Sequence, residues 1–527
     1  MTAFLINNMA PLMFGALMVF LLSGFPVAFA LAANGLFFGF VGIELGLLTP
    51  ALLQALPERV LGIMANDTLL AIPFFTFMGI ILERSGMAED LLESAGQLFG
   101  PVRGGIAYAV IFVGALLAAT TGVVAASVIA MGLISLPVML RYGYSREVAS
   151  GVICASGTLA QIIPPSLVLI VLADVLGVSV GDAYKGALIP SFILVALLAG
   201  YILVLSIIRP DAVPALPPEA RTLRGAALFR SLLVTTVPPL VLIFLVLGTI
   251  FIGLATPTEG GAMGAVGALL LAAARRRMSY KVMREALSTT ATLSTFVLFI
   301  LIGSTVFALT FRAVNGDLWV EHLFGLIPGG QIGFLIVVSL LVFVLGCFID
   351  FFEIAFILLP LVAPVAQKLG IDMVWFLVLV GMNMQSSFLT PPFGFALFYL
   401  RSVAPVRRYQ DTATGRMLDG VATTQIYRGV LPFIGLQMVA LAITAFFPSL
   451  VTAPLGREAP VDLQSIQIEV PSAMDDAAPT PFALPADGNA APPTSAPESA
   501  SGSEADPNRA LMDALKPPSE PATAPGR

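Results

Sequence analysis

Two tandem prolines, Pro164-Pro165 and Pro391-Pro392, interrupt apolar runs of this 527-residue chain and lie 227 residues apart. Proline lacks a backbone N–H and keeps the residue before it out of the helical region. A helix entering either pair therefore loses hydrogen bonds to its carbonyls around residues 160–163 and 387–390. At membrane depth such carbonyls need a cation, water or a neighbouring hydroxyl. Polar side chains flank both pairs: Ser156 and Thr158 before the first, Asn383, Ser386, Ser387 and Thr390 before the second. Ser156, Thr158, Asn383 and Ser386 are candidate substrate contacts. Two carboxylates, Asp350 and Glu353 in CFIDFFEIAF, also have apolar surroundings. Burying an ionised acid is costly, so such a group marks a functional position. Compensating a cation, pairing with an arginine, carrying a proton and facing an aqueous cavity all remain open for it. Asn66 and Asp67, ahead of LLAIPFF, read as a helix N-cap.

The elements that position these residues come twice. Residues 137–166 and 364–393 align without a gap: Pro137-Val138 falls on Pro364-Val365, Arg141 on Lys368, Gly143 on Gly370, Ser145 on Asp372, and proline pair on proline pair. Upstream, FGPVRGG at 99–105 answers FGLIPGG at 324–330. Internal repeats whose broken helices meet near the bilayer midplane are a common way to build a secondary transporter.

Composition requires a membrane: 58% of residues are hydrophobic and 11% charged, with a mean hydropathy of +0.96. The chain therefore needs a lipid bilayer as its solvent. Spans are expected near 9–32, 34–49, 65–83, 147–176 and 186–208, and again near 231–254, 257–274, 288–311, 371–400 and 430–450. Two regions, 104–140 and 331–367, are too long for one helix and are broken in the middle, at Thr120-Thr121-Gly122 and between Gly346 and Glu353. Each reads as a re-entrant helical hairpin. Amphipathic segments before them, at 87–100 and 316–325, read as interfacial arms. The expected organisation is a first repeat at 1–225, a second at 226–450, and a disordered Pro/Ala/Ser-rich tail at 451–527.

Charge sets the topology. Arg209, Arg221, Arg224 and Arg230 make one basic loop, Arg275 to Arg277 with Lys281 and Arg284 a second, and Arg401, Arg407, Arg408, Arg416 and Arg428 a third. The positive-inside rule places all three in the cytoplasm. Counting spans from there puts the N-terminus and the tail outside and makes the two repeats inverted. Chemistry of other kinds finds little material. His322 is the only histidine, and Cys154 and Cys347 read as small buried hydrophobes, so no metal centre, cofactor or catalytic triad is expected. No P-loop encodes ATP coupling, and nothing points to nucleic acid.

The runs LLAIPFF, GTLAQIIPPS, GDAYKGALIP and NMQSSFLTPPFGFALFYL resemble the large membrane subunit of tripartite ATP-independent periplasmic (TRAP) transporters, the DctM-like family, over residues 10–448. The stretch at 118–144 is most similar to the branch named for mannitol or chloroaromatic compounds. The resemblance implies an all-α polytopic protein of the bacterial inner membrane, an inverted-repeat, elevator-type transporter with two re-entrant hairpins. It also implies sodium as the coupling ion, a small organic acid as substrate, a small DctQ-like membrane subunit and an extracytoplasmic substrate-binding protein. Because the chain opens directly on the large-subunit pattern, the small subunit is expected to be a separate polypeptide. Carried over by motif, one sodium site uses Thr121 and Gly122 with backbone around Ala160, Ile163 and Pro165. The other uses Gly346 and Asp350 with groups around Ser387, Thr390 and Pro392. Many members carry Ser-Gly-Ser-Ser at the first tip, where this chain has Thr121-Gly122-Val123-Val124, leaving a serine contribution there open. A proton-coupled or antiporting carrier using Asp350 or Glu353 is the alternative within transport; a membrane-embedded enzyme is the alternative outside it.

Overall fold

The computed structural model describes residues 2–411 and 414–456. The disordered tail expected at 451–527 lies, from 457 onward, outside the described residues. Apart from a two-rung antiparallel pairing of Tyr409–Gln410 with Met417–Leu418, the described elements are helical. Seven helices are long and apolar enough to cross a membrane, or up to nine if each bent pair counts as one span. The 29-residue helix Val180–Ile208 spans about 43 Å at 1.5 Å per residue. Large apolar side chains along it, among them Phe192 and Ile207, face outward. An outward apolar surface of that length is stable only in lipid. The chain is an all-α polytopic membrane protein.

Both expected hairpins are present. In the first, α1 (Gly105–Thr121) and α2 (Val124–Arg141) are separated only by Gly122 and Val123. The Ile106 amide at the start of α1 donates to the Tyr144 hydroxyl just beyond the end of α2, at 3.1 Å, so the two helices run back along each other. In the second, α3 (Gly330–Gly346) and α4 (Phe351–Lys368) flank a break at residues 347–350. Its base closes in the same manner, Gln331 Nε2 donating to the Leu369 carbonyl at 2.5 Å. A π-turn at Ile354–Leu358 widens α4. The arms are helices α5 (Met87–Phe99) and α6 (Gly316–Gly325), and α6 meets α3 at a bend of 114°.

After each hairpin comes a broken span. The first consists of α7 (Arg146–Thr158) and α8 (Leu167–Leu176). Its counterpart is α9 (Met373–Phe388) with α10 (Phe395–Val403), started by Asp372, whose Oδ1 accepts from the Val374 and Trp375 amides at 2.9 Å each. Both proline pairs have a cis peptide bond. Contacts between the two spans are reciprocal. Cys154 Sγ donates to the Ala396 carbonyl at 3.7 Å, while a methyl on Gly381 would sit 3.6 Å from Leu169. Residues 154 and 381, and residues 169 and 396, are equivalent under the 227-residue offset, and contact i-to-j with j-to-i is what a two-fold relation produces.

Span boundaries near the N-terminus differ from expectation. The apolar stretch at 9–49 breaks at residues 23–26, around Gly24 and Pro26, into Met9–Leu22 and Val27–Glu44, rather than near residue 33. Hydropathy saw one uniform run, whereas the left-handed Gly24 and the proline after it turn the chain.

The first and third basic loops meet the base of the first hairpin, and the second meets the arm before it. The Tyr144-side turn bonds to the first loop through Ser145 N to Ala212 O, and Gly104 N donates to Val213 O. The second loop grips arm α5, Arg275 and Arg277 both bonding Asp90 at 3.1 and 3.0 Å. The third supplies Asp411, which takes both Nε and Nη2 of Arg141 at 2.8 and 2.7 Å, and Asp419, which bonds Arg146. Sharing one face is what charge parity requires of them. Arg141 holds the Asp411 carboxyl well below the usual carboxylate range, helped by the Thr414 hydroxyl. A depressed folded-state pKa stabilises the fold above the ordinary carboxylate pKa and is lost as pH falls through the lowered one. We expect Asp411→Asn to lower the melting temperature in detergent by about 5 °C at pH 7. The wild type should show no loss from this pair between pH 5 and 8, and thermal scans across that range check both.

Candidate functional site

The first break keeps its chain partly satisfied. Pro164 and Pro165 leave the carbonyls of Ala160 and Gln161 without their helical amide partners. Ser166 Oγ donates to Gln161 O at 2.7 Å and Ser191 Oγ to Ile162 O at 3.0 Å, but the Ala160 carbonyl receives no such replacement. Against this break sits the tip of the first hairpin. A methyl placed on Gly122 would lie 3.1 Å from the Leu167 amide nitrogen and 3.5 Å from the Pro165 carbonyl oxygen, and Gly122 adopts φ +60°. Thr121, Gly122, Ala160 and Pro165 are thereby brought into one region, with Ile163 beside it in the same break. The Thr121 hydroxyl bonds Ser127 Oγ at 2.9 Å across the tip. Ser127 places a serine hydroxyl beside this tip from the returning helix, five residues beyond Gly122, where no local tip motif would reveal it.

The second break is built alike with different chemistry. Pro391 and Pro392 leave the Ser387 and Phe388 carbonyls without helical partners; Ser387 O accepts instead from the Thr390 amide at 3.0 Å. The tip glycine Gly346 presses on Ser387 so closely that a methyl there would fall 2.1 Å from Ser387 Oγ. Phe348 at this tip packs at a tilt against Phe393 just past the prolines, ring centroids 5.3 Å apart. Gly346, Ser387, Thr390 and Pro392 so share a region. The Pro392 carbonyl accepts from the Tyr427 hydroxyl at 3.0 Å, and the Thr390 hydroxyl donates to Ser386 O at 2.9 Å.

Asp350 and Glu353 cap the returning helix of that tip. Asp350 Oδ1 accepts from the Phe351 amide at 2.7 Å, and Glu353 Oε2 accepts from the Asp350 amide at 3.1 Å. This reciprocal arrangement satisfies two orphan donors at the start of α4. Asp350 keeps its second oxygen outside these bonds. Glu353 also lines a cavity of about 440 Å³ with Pro26, Phe29, Thr295 and Phe299, so it borders the neighbouring helices as well as the break.

The four candidate substrate contacts are nearly inaccessible. Ser156 donates to Ile153 O, Ser386 to Met382 O, and Asn383 Nδ2 to Ser339 O at 2.6 Å. Thr158 donates to Ala155 O and accepts from Gln385 and Gln437. A glutamine in the first break, Gln161, is fully buried with both amide atoms unpartnered. Polarity within an apolar run was its only sequence signal. Asn66 does cap, its Oδ1 accepting from Thr68 N at 2.9 Å, and its amide nitrogen reaches Asp174 at 2.8 Å.

Residues 14–450 match the model of the tripartite ATP-independent periplasmic transporter, DctM component. The chain belongs to that family. Among similar curated proteins, the C4-dicarboxylate TRAP transporter large permease protein DctM of Pseudomonas aeruginosa is 31% identical over 408 residues, 76% of this chain and 90% of that protein. The sialic acid TRAP transporter large permease protein SiaM of Vibrio cholerae is 27% identical over 434 residues, 81% and 94% of the two chains. The isethionate TRAP transporter permease protein DctMQ of Oleidesulfovibrio alaskensis is 27% identical over 84% of this chain and 65% of its own length. In fold the chain is similar to the Alcanivorax borkumensis YdaH transporter, with a TM-score of 0.55 and 16% identity over 78% of this chain and 91% of that one. Its relatives are transport permeases, and it is a permease, not an enzyme.

The contact of Gly346 with Ser387 gives a direct check on this region. Gly346→Ala should cut transport at least about ten-fold, because the tip must retreat from the break. Uptake by the variant and the wild type at matched expression measures the difference.

Proposed function

We propose that this DctM-family chain is the large subunit of a sodium-driven importer of small organic anions, working by an elevator motion. The observation that carries the reading is the pairing, twice over, of a proline-broken helix with the tip of a helical hairpin. Each pairing sets a hairpin tip against buried, unwound backbone in which a carbonyl freed by the prolines, Ala160 O in the first break and Phe388 O in the second, has no helical amide to accept from. Sodium, a hard cation, takes carbonyl and hydroxyl oxygens, and unwound backbone offers them. One site is assigned to Thr121, Gly122, Ala160, Ile163 and Pro165, the other to Gly346, Asp350, Ser387, Thr390 and Pro392. Only the second has a carboxylate, so the two ions are bound by unequal chemistry. Half-helix N-termini at Val124 and Phe351 point their positive ends toward these regions, and with the bound cations they favour an anionic substrate.

Relatives named for C4-dicarboxylates, sialic acid and isethionate share one feature, a small organic anion. That class is assigned to this chain, with a small membrane subunit and an extracytoplasmic binding protein completing the system. The reciprocal contacts around residues 154, 169, 381 and 396, with the basic loops on one face, support two inverted repeats at 1–225 and 226–450 in the inner membrane and an outward N-terminus.

Co-reconstitution with its small subunit and binding protein in proteoliposomes tests the coupling. An inward sodium gradient should drive accumulation, and replacing sodium by choline should reduce it at least about ten-fold. Sodium-independent accumulation that collapses when a pH gradient is dissipated would overturn the reading and point to Asp350 and Glu353 as proton carriers.

A further inference from the structure

Thr158 and Gln385 occupy the same place in the two repeats, 227 residues apart, and their side chains meet: Gln385 Nε2 lies 3.5 Å from Thr158 Oγ1. A residue that touches its own repeat equivalent sits on the two-fold axis. Both stand two residues ahead of the first broken-helix residue assigned to a cation site, Ala160 in one repeat and Ser387 in the other. A third member comes from the helix Thr423–Phe446, where Gln437 Nε2 donates to Thr158 Oγ1 at 3.2 Å. All three side chains are buried, Gln437 being the most exposed at 2%.

The hydroxyl proton of Thr158 goes to Ala155 O at 2.9 Å, so its oxygen can only accept, and both amides must turn their nitrogens toward it. The oxygens of Gln385 and Gln437 then have no protein partner. Leaving buried acceptors unmet is unfavourable, and apolar side chains of similar size would fill the space without that penalty. A purely packing role does not call for these residue types.

We infer that Thr158, Gln385 and Gln437 form a clasp between the two broken helices, a set of positioning residues through which occupancy of one cation site favours occupancy of the other. The inference rests on the sodium-site reading above. When an ion draws carbonyls of the first break together, Thr158 moves with the end of its helix, and the amide link carries that shift to the helix end before Ser387. Through Gln437, the same link registers against a third helix. Two sites joined by one stiff element that both ions order bind cooperatively.

Sodium activation of uptake in the reconstituted three-component system tests this. The wild type should show a Hill coefficient approaching two. Thr158→Val and Gln437→Leu should each bring it toward about one and raise half-saturating sodium at least about three-fold, with folding checked by size-exclusion profile and melting temperature. Thr158→Ser keeps the hydroxyl and should retain the wild-type coefficient. Gln437 lies in neither broken helix, so its variant keeps the test decisive where a change near the breaks misfolds. Folded variants that keep the wild-type coefficient would overturn the clasp while leaving the sodium sites standing. A wild type indifferent to sodium would instead remove the reading beneath it.

Discussion

In hydrocarbon no water is available to a backbone carbonyl, so a helix can be broken there only where something else meets the freed groups. The rest of this fold follows from that constraint. The two tandem prolines break two spans, and each break demands cover. The hairpins provide it, with Gly122 and Gly346 bringing each tip to within contact of the broken chain. Serines and threonines satisfy some carbonyls, as Ser166 and Ser191 do in the first break. Those left over are where the proposed sodium reading places its cations.

The breaks are equivalent in backbone and unequal in side chains. At the first tip Thr121 and Ser127 contribute neutral hydroxyls, and the buried Gln161 stands in the break itself. At the second, Asp350 contributes a carboxylate already engaged as a helix cap. A site of neutral oxygens relies on desolvated dipoles, whereas one with a carboxylate has full charge compensation at hand. On the proposed sodium reading, that inequality of charge gives the two ions different affinities.

Much of the architecture was legible because it rests on backbone chemistry. The proline pairs, the hairpin regions and the capping role of Asn66 all follow from residues whose effect is local. The basic loops could be grouped because charge is read over whole segments. What escaped was long-range or directional. Ser127 reaches the tip only once the hairpin folds back, and the Gln385 and Gln437 amides meet Thr158 only through packing of three helices. The substrate candidates Ser156, Thr158, Asn383 and Ser386 were chosen by proximity to the breaks. Sequence distance does not say which way a side chain turns, and these four bond into the helix packing. Near the N-terminus, hydropathy could not separate two consecutive apolar helices that a glycine and a proline divide.

The central claim is that the two hairpin-covered breaks are the ion sites. Equilibrium binding of radiolabelled sodium to the purified chain tests it most directly. The account predicts about two ions bound per chain. Gly122→Val should abolish one and Gly346→Val the other, each in protein that remains folded. Binding of no sodium, or undiminished binding in both variants, would contradict it.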